Sequence, residues 1–146
     1  METAILGTWK LVSASSCTDS GDRNDAPFGR EPAGFLTYTQ DGRMSAMISF
    51  GGRKPLSSSD SDAAPIDEQA EAFKTFLAYA GRFTLNSEKI IHHVEISSIQ
   101  AWVGTDLTRT IKLQGERIVL AAPPVLSGGK VRGFELVWQR VARSSQ

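Results

Sequence analysis

The chain has 146 residues, 40% of them apolar and 22% charged, the composition of an ordinary globular domain, so residues 1–146 read as one domain. A chain of this length buries roughly 68–70% of its unfolded surface and needs no disulfide framework or metal staple, in keeping with its single cysteine, Cys17. Sixteen Lys and Arg balance sixteen Asp and Glu without any basic block, which excludes the electrostatic footprint of a nucleic-acid partner.

The first residues, Met1-Glu2-Thr3-Ala4, lack the charged and apolar regions of a secretion signal, and no apolar run approaches the ~20 residues of a membrane helix. A cytoplasmic protein without a membrane partner is therefore expected. Residues 5–13 alternate Ile5, Gly7, Trp9 and Leu11 against Leu6, Thr8, Lys10 and Val12, the period of a half-buried strand. Residues 15–32 are polar, with Gly, Asp, Asn and Pro throughout, and predict a surface loop containing Cys17. Residues 34–39 and 43–50 flank Gln40-Asp41-Gly42, a hairpin signal, and the second run sets Met44, Ala46, Ile48 and Phe50 on one face. A serine-rich loop follows over 51–64.

Pro65 suits a first helical turn, Asp67, Glu68 and Glu71 favour its N-terminal end, and Gly81 suits its C-terminal cap. With Ile66, Ala70, Phe73, Leu77 and Ala80 recurring at steps of three and four, the spacing predicts one helix over about 65–80. Further strands are expected at 82–85, 89–97, 105–113, 117–122 and 131–141, separated by Asn86-Ser87, Trp102-Val103-Gly104, Gln114-Gly115 and a Pro/Gly stretch. About eight short antiparallel strands with one helix argue for an all-β sandwich or closed barrel, and eight strands can enclose one small ligand.

Gly7-Thr8-Trp9 early and Trp138-Gln139-Arg140 late resemble the lipocalin, or calycin, signature. In that superfamily the first-strand Trp closes one end of the barrel and a late Arg packs across it by cation–π attraction. Leu6-Gly7-Thr8-Trp9-Lys10-Leu11, Gly34-Phe35-Leu36-Thr37-Tyr38-Thr39, Asp41-Gly42-Arg43-Met44, Tyr79-Ala80-Gly81, His92-His93-Val94-Glu95 and Trp102-Val103-Gly104-Thr105 resemble, in order, the blocks of the small intracellular lipocalin-like domain family of microbes. The resemblance implies an eight-stranded antiparallel lipocalin-like barrel with the 65–80 helix packed at one end. It carries no agreed catalytic motif. Related barrels include lipid carriers, haem proteins, and cyclases or isomerases. Unlike secreted lipocalins, this chain has no cysteine pair, which disfavours extracellular transport.

Barrel strands alternate inward and outward, so a polar residue in phase with apolar neighbours is a candidate for the cavity wall. His92 is in phase with Ile90, Val94 and Ile96, Arg109 with Leu107, Ile111 and Leu113, and Tyr38 with Leu36. An inward guanidinium is costly unless paired, so Arg109 either meets an acid such as Asp106 or Glu95 or greets an anionic or carbonyl group on a ligand. His93 and Glu95 share the other face, as an exterior ion pair or, if a bulge exchanges the faces, as an acid–base pair. Trp102, Met44, Phe73, Phe134 and Tyr79 are candidate ligand contacts, with Trp102 near the rim and Phe73 and Tyr79 on the helix.

Adjacent His92 and His93 point to opposite faces, and no further Cys or His supplies ligands, so no metal site is expected. Gly51-Gly52 and Gly128-Gly129 lack the strand-to-helix setting of a nucleotide loop, and no cofactor is expected. Three readings follow. In the first, the cavity binds a small, largely apolar metabolite and catalyses a cofactor-independent isomerisation or cyclisation. Arg109 and Tyr38 would be its donors, His92 its proton shuttle and Glu95 a reserve base. In the second, the same residues orient the ligand of a carrier or sensor without chemistry. In the third, His92 or His93 ligates haem. The oligomeric state, monomer or homodimer, stays open.

Overall fold

Period-two alternation folds most of this chain into one antiparallel sheet in the computed structural model, which describes residues 2–127 and 129–142. After a short helix α1 (Glu2–Ile5) come β1 (Gly7–Thr18), β2 (Arg23–Asn24), β3 (Ala33–Tyr38) and β4 (Arg43–Ser49). Helix α2 (Ile66–Lys74) then leads into β5 (Phe76–Asn86), β6 (Lys89–Ser97), β7 (Asp106–Gln114), β8 (Arg117–Ser127) and β9 (Lys130–Arg140). Each strand from β3 to β9 pairs with the next, and β1 pairs with both β3 and β9, so eight strands close into a barrel while two-residue β2 hangs on the edge of β1. No described helix is long and apolar enough to cross a membrane.

Closure makes β1 longer than its apolar pattern suggests. Its polar half, Ser13 to Thr18, pairs with Val137 to Arg132 of β9 after a register shift that leaves Val12 exposed. Cys17 therefore lies in a strand, solvent-exposed, rather than in a loop. The segment expected as a Pro/Gly loop, Pro123-Pro124, continues β8 instead, where the lost donors coincide with a register shift between Ala122 and Val125.

The helix is half as long as its spacing predicts. It stops at Lys74, where both the N–H and the hydroxyl of Thr75 donate to the Glu71 carbonyl. Phe76 to Tyr79 instead extends β5 along Ala46, Met47, Ile48 and Ser49 of β4, an edge that the barrel cannot leave unpaired. Helical spacing and strand alternation both fit Leu77, and sheet closure decides between them. No residue of α2 is buried, so its Ile66 and Phe73 are not core.

Gly81 is accordingly no helix cap. The register between β5 and β6 shifts there, Ala80 facing Ile96 and Gly81 facing Val94, which leaves Glu95 as the extra residue of a bulge. A Cβ on Gly81 would lie 1.8 Å from the His93 carbonyl oxygen. The bulge inverts the phase beyond Val94, and Ile96, inward by simple alternation, is exposed.

One barrel end is sealed by α1 and the last strand. Trp9 is fully buried and its indole N–H donates to the Ile5 carbonyl at 2.9 Å. The Arg140 guanidinium stacks 4.3 Å from the Trp9 ring centroid and donates to the carbonyls of Leu6, at 2.8 Å, and Ala4. Gly7 passes beneath with φ +119°, where a Cβ would crowd the Arg140 guanidinium at 3.1 Å. At the other end open the loops after β1, β4 and β6, together with α2.

Two stability outcomes follow from this packing. Trp9→Ala should cost about 3–5 kcal/mol in denaturant titration, as large aromatic truncations in cores do; a loss below about 1 kcal/mol would contradict the seal. Gly81→Ala forces two backbones apart and should cost about 3 kcal/mol, at the upper end of overpacking, whereas a true helix-cap glycine would tolerate alanine with a smaller loss.

Candidate functional site

The barrel encloses a cavity of about 490 Å³, within the range of small-molecule sites. Its wall comes from inward positions of nearly every strand and from loop residues at the open end. Phe28 stacks parallel to Phe134 at 6.1 Å and tilts against Phe50 at 5.1 Å, forming an aromatic wall. The Phe28 carbonyl accepts from the Gly51 N–H at 2.9 Å, which ties the first long loop to the chain leaving β4. Trp102 meets Tyr79 edge-on at 5.7 Å, and Phe73 of α2 joins the lining while 57% exposed.

The polar part of the wall centres on His92, which is 1% exposed. Its Nε2 lies 2.7 Å from the Tyr38 hydroxyl and its Nδ1 2.7 Å from the Tyr79 hydroxyl. Burial, reinforced by the charges of Arg109 and His93, pushes the imidazole down to about 3, so it is neutral and carries one proton. Burial also raises both phenols, Tyr79 to about 12 against an opposing pull from Arg109. Hence each tyrosine keeps its proton.

Donor counting orients the chain. Tyr38 is 1% exposed, and among the described residues its hydroxyl has the imidazole as its one hydrogen-bond partner. If Nε2 held the proton, the phenolic O–H would be buried without an acceptor, which costs about 1–3 kcal/mol. Tyr38 therefore donates to Nε2, and Nδ1–H donates to Tyr79. Tyr79, on the cavity wall, is left with its own O–H unspent.

Arg109 sits on the same wall, opposite Ile90 in the register and thus diagonal to His92 on the neighbouring strand. Among the described residues its guanidinium donates to one acceptor, the Thr108 carbonyl at 3.2 Å, and pairs with no carboxylate. The acids considered for it are engaged elsewhere. Asp106 accepts from His93 Nδ1 at 2.8 Å on the outer face, where His93 Nε2 meets the Thr84 hydroxyl. Glu95, on the outer face at the bulge, accepts from both terminal nitrogens of Arg43 and lies 3.5 Å from Arg82.

The structure thus brings His92, Tyr79 and Arg109 together on the wall with Tyr38 directly behind, and places Trp102, Phe73 and Phe134 around the same space. Glu95 is outside the barrel and does not pair with His93; Met44 is buried in the core, with neighbouring Met47 on the lining instead. With both nitrogens of His92 bonded, haem ligation there would require breaking a tyrosine contact. Phe50 shares by alternation the face of Met44, Ala46 and Ile48 but is not among the candidate contacts, and Phe28 escapes periodicity altogether, although a lone aromatic residue in a polar loop is a usable signal. Trp138, also on the lining, holds the one buried side-chain polar atom without a partner among the described residues, its indole nitrogen.

The lipocalin-like domain family model matches residues 6–141. A protein of Aspergillus oryzae (strain ATCC 42149 / RIB 40) named 4′-hydroxy-3′-methoxypropiophenone carrier protein is 36% identical over 87 residues, covering 53% of this chain and 78% of that protein. No solved structure matches the chain. The closed barrel, the Trp9–Arg140 seal and a match across nearly the full length agree, and the chain belongs to the lipocalin-like domain family.

Proposed function

We propose that this protein is a carrier of a small, largely apolar aromatic metabolite, held whole in the barrel cavity. The observation that carries this reading is the cavity itself: about 490 Å³, walled by Phe28, Phe50, Phe134, Trp102 and aliphatic side chains, with polar groups at one region. Such a pocket removes an aromatic ring from water at about 25 cal/mol per Å² buried and uses its few polar contacts for orientation. The fungal relative's name, a carrier of an aromatic ketone bearing a phenol, supports the same ligand class.

An isomerase or cyclase is the weaker reading. General acid–base catalysis works best with a group whose pKa lies near the working pH. His92 at about 3, with both nitrogens bonded, and phenols raised by burial do not exchange protons readily near neutrality. The same groups serve well as fixed donors.

Titration of the purified protein with 4′-hydroxy-3′-methoxypropiophenone, followed by quenching of Trp102 and Trp138, should show saturable binding at one site per chain. Chromatography after incubation should recover the compound unchanged. Ala122→Phe, which fills the lining, should weaken binding at least tenfold, a loss of about 1.4 kcal/mol. Absence of saturable binding to the folded protein would overturn the carrier reading, and conversion of the compound would replace it with catalysis.

The neutral imidazole also makes stability depend on pH. The native pKa of His92 lies below the value near 6.5 of the unfolded chain, so unfolding takes up a proton between those limits. The stabilisation is complete above pH 6.5 and declines towards pH 3. Between pH 6.5 and 5 wild type should lose about 2 kcal/mol more than His92→Gln. Parallel curves for the two proteins would show that His92 is not held neutral.

A further inference from the structure

The side-chain groups that the cavity turns inward and leaves unspent are hydrogen-bond donors. Among the described lining residues there is no Asp, Glu, Asn, Gln, Ser or Thr. The His92 nitrogens are consumed by the two tyrosines, which leaves the O–H of Tyr79, most of the N–H fork of Arg109 and the unpartnered indole N–H of Trp138. Lys74, at the open end on α2, is the other cation among the described lining residues. A half-buried guanidinium that has one backbone acceptor and no carboxylate is an incomplete arrangement, because burying a charge is unfavourable unless its partner is buried with it.

We infer that the ligand supplies that partner: the cavity takes an aromatic oxygen acid in its anionic form, a carboxylate or an acidic phenolate, with the Arg109 guanidinium and the Tyr79 hydroxyl as its recognition pair. The inference rests on the carrier reading above and narrows its ligand class. Guanidinium offers two parallel N–H groups that match the two lone-pair directions of an anionic oxygen group. Tyr79 is preset as a third donor, because it already accepts from His92, and a phenol that accepts one hydrogen bond donates a stronger one. Arg109 and His92 are diagonal neighbours on paired strands, which sets such residues about 7–8 Å apart. The Tyr79 hydroxyl lies 2.7 Å from His92 Nδ1, so both donors open onto the stretch of wall around His92. The aromatic ring of the ligand then lies towards Phe28, Phe50 and Phe134.

Two probes of one skeleton, cinnamate and methyl cinnamate, separate this from simple hydrophobic capture. An apolar pocket with no anion site prefers the ester, since burying a carboxylate is unfavourable. Calorimetric titration of wild type should instead show cinnamate binding at least tenfold tighter than the ester. Arg109→Met should reverse that order, and Tyr79→Phe should weaken cinnamate about three- to tenfold. Without ligand, Arg109→Met should melt at or above the wild-type temperature, because an unpaired charge has been removed. A wild type that prefers the ester, or an Arg109→Met protein that melts more than ~5 °C lower, would overturn the anion site and leave the carrier reading standing. If neither probe binds folded wild type, the anion site falls, and the carrier reading falls with it only if 4′-hydroxy-3′-methoxypropiophenone also fails to bind.

Discussion

Closure of the sheet on β1 is the constraint from which the rest follows. Once β1 pairs with β3 on one edge and β9 on the other, every second side chain of eight strands faces a common interior. Polar groups there meet one another or a guest rather than bulk water, and any group left unmatched adds a penalty to the folded state. The seal by Trp9, Arg140 and α1 makes that interior blind at one end. The loops bearing Phe28 and Trp102, with Phe73 of α2, make it accessible at the other.

Within that interior the burden falls on one imidazole. His92 is tolerable because it is neutral and because each nitrogen has a phenol 2.7 Å away. The three rings form a directed chain of donors that ends at the cavity, so structural satisfaction of a buried histidine and presentation of a polar contact to a ligand are one arrangement. Arg109 differs: nothing in the described chain balances it, and its location on the wall links that imbalance to the contents of the barrel. Outside, Arg43–Glu95 and His93–Asp106 are solvent-screened pairs that add little to stability.

Much of this was legible from period-two patterning. Asp41-Gly42 marked a hairpin, Trp9 and Arg140 marked the seal, and the phases of Tyr38, His92 and Arg109 relative to apolar neighbours placed all three inside. Non-local pairing hid the rest. Leu77 and Ala80 continue a helical stripe as well as they alternate in a strand, and the requirement that β4 have a partner settles Tyr79 onto β5, where its hydroxyl reaches His92. The bulge at Glu95 depends on Gly81 meeting the backbone across β6, a contact that no local spacing encodes. Phe28 reaches the cavity from a polar loop whose path is set by Gly51.

The most direct test is the protonation state of His92 itself. Nitrogen-15 spectra of the imidazole, recorded on wild type between pH 7.5 and 5, should show a neutral ring protonated on Nδ1 that does not titrate, with both nitrogen signals perturbed by Tyr38→Phe and Tyr79→Phe. A ring protonated on Nε2, or one that titrates with a midpoint near 6.5, would contradict the directed chain and with it the donor face presented to the cavity.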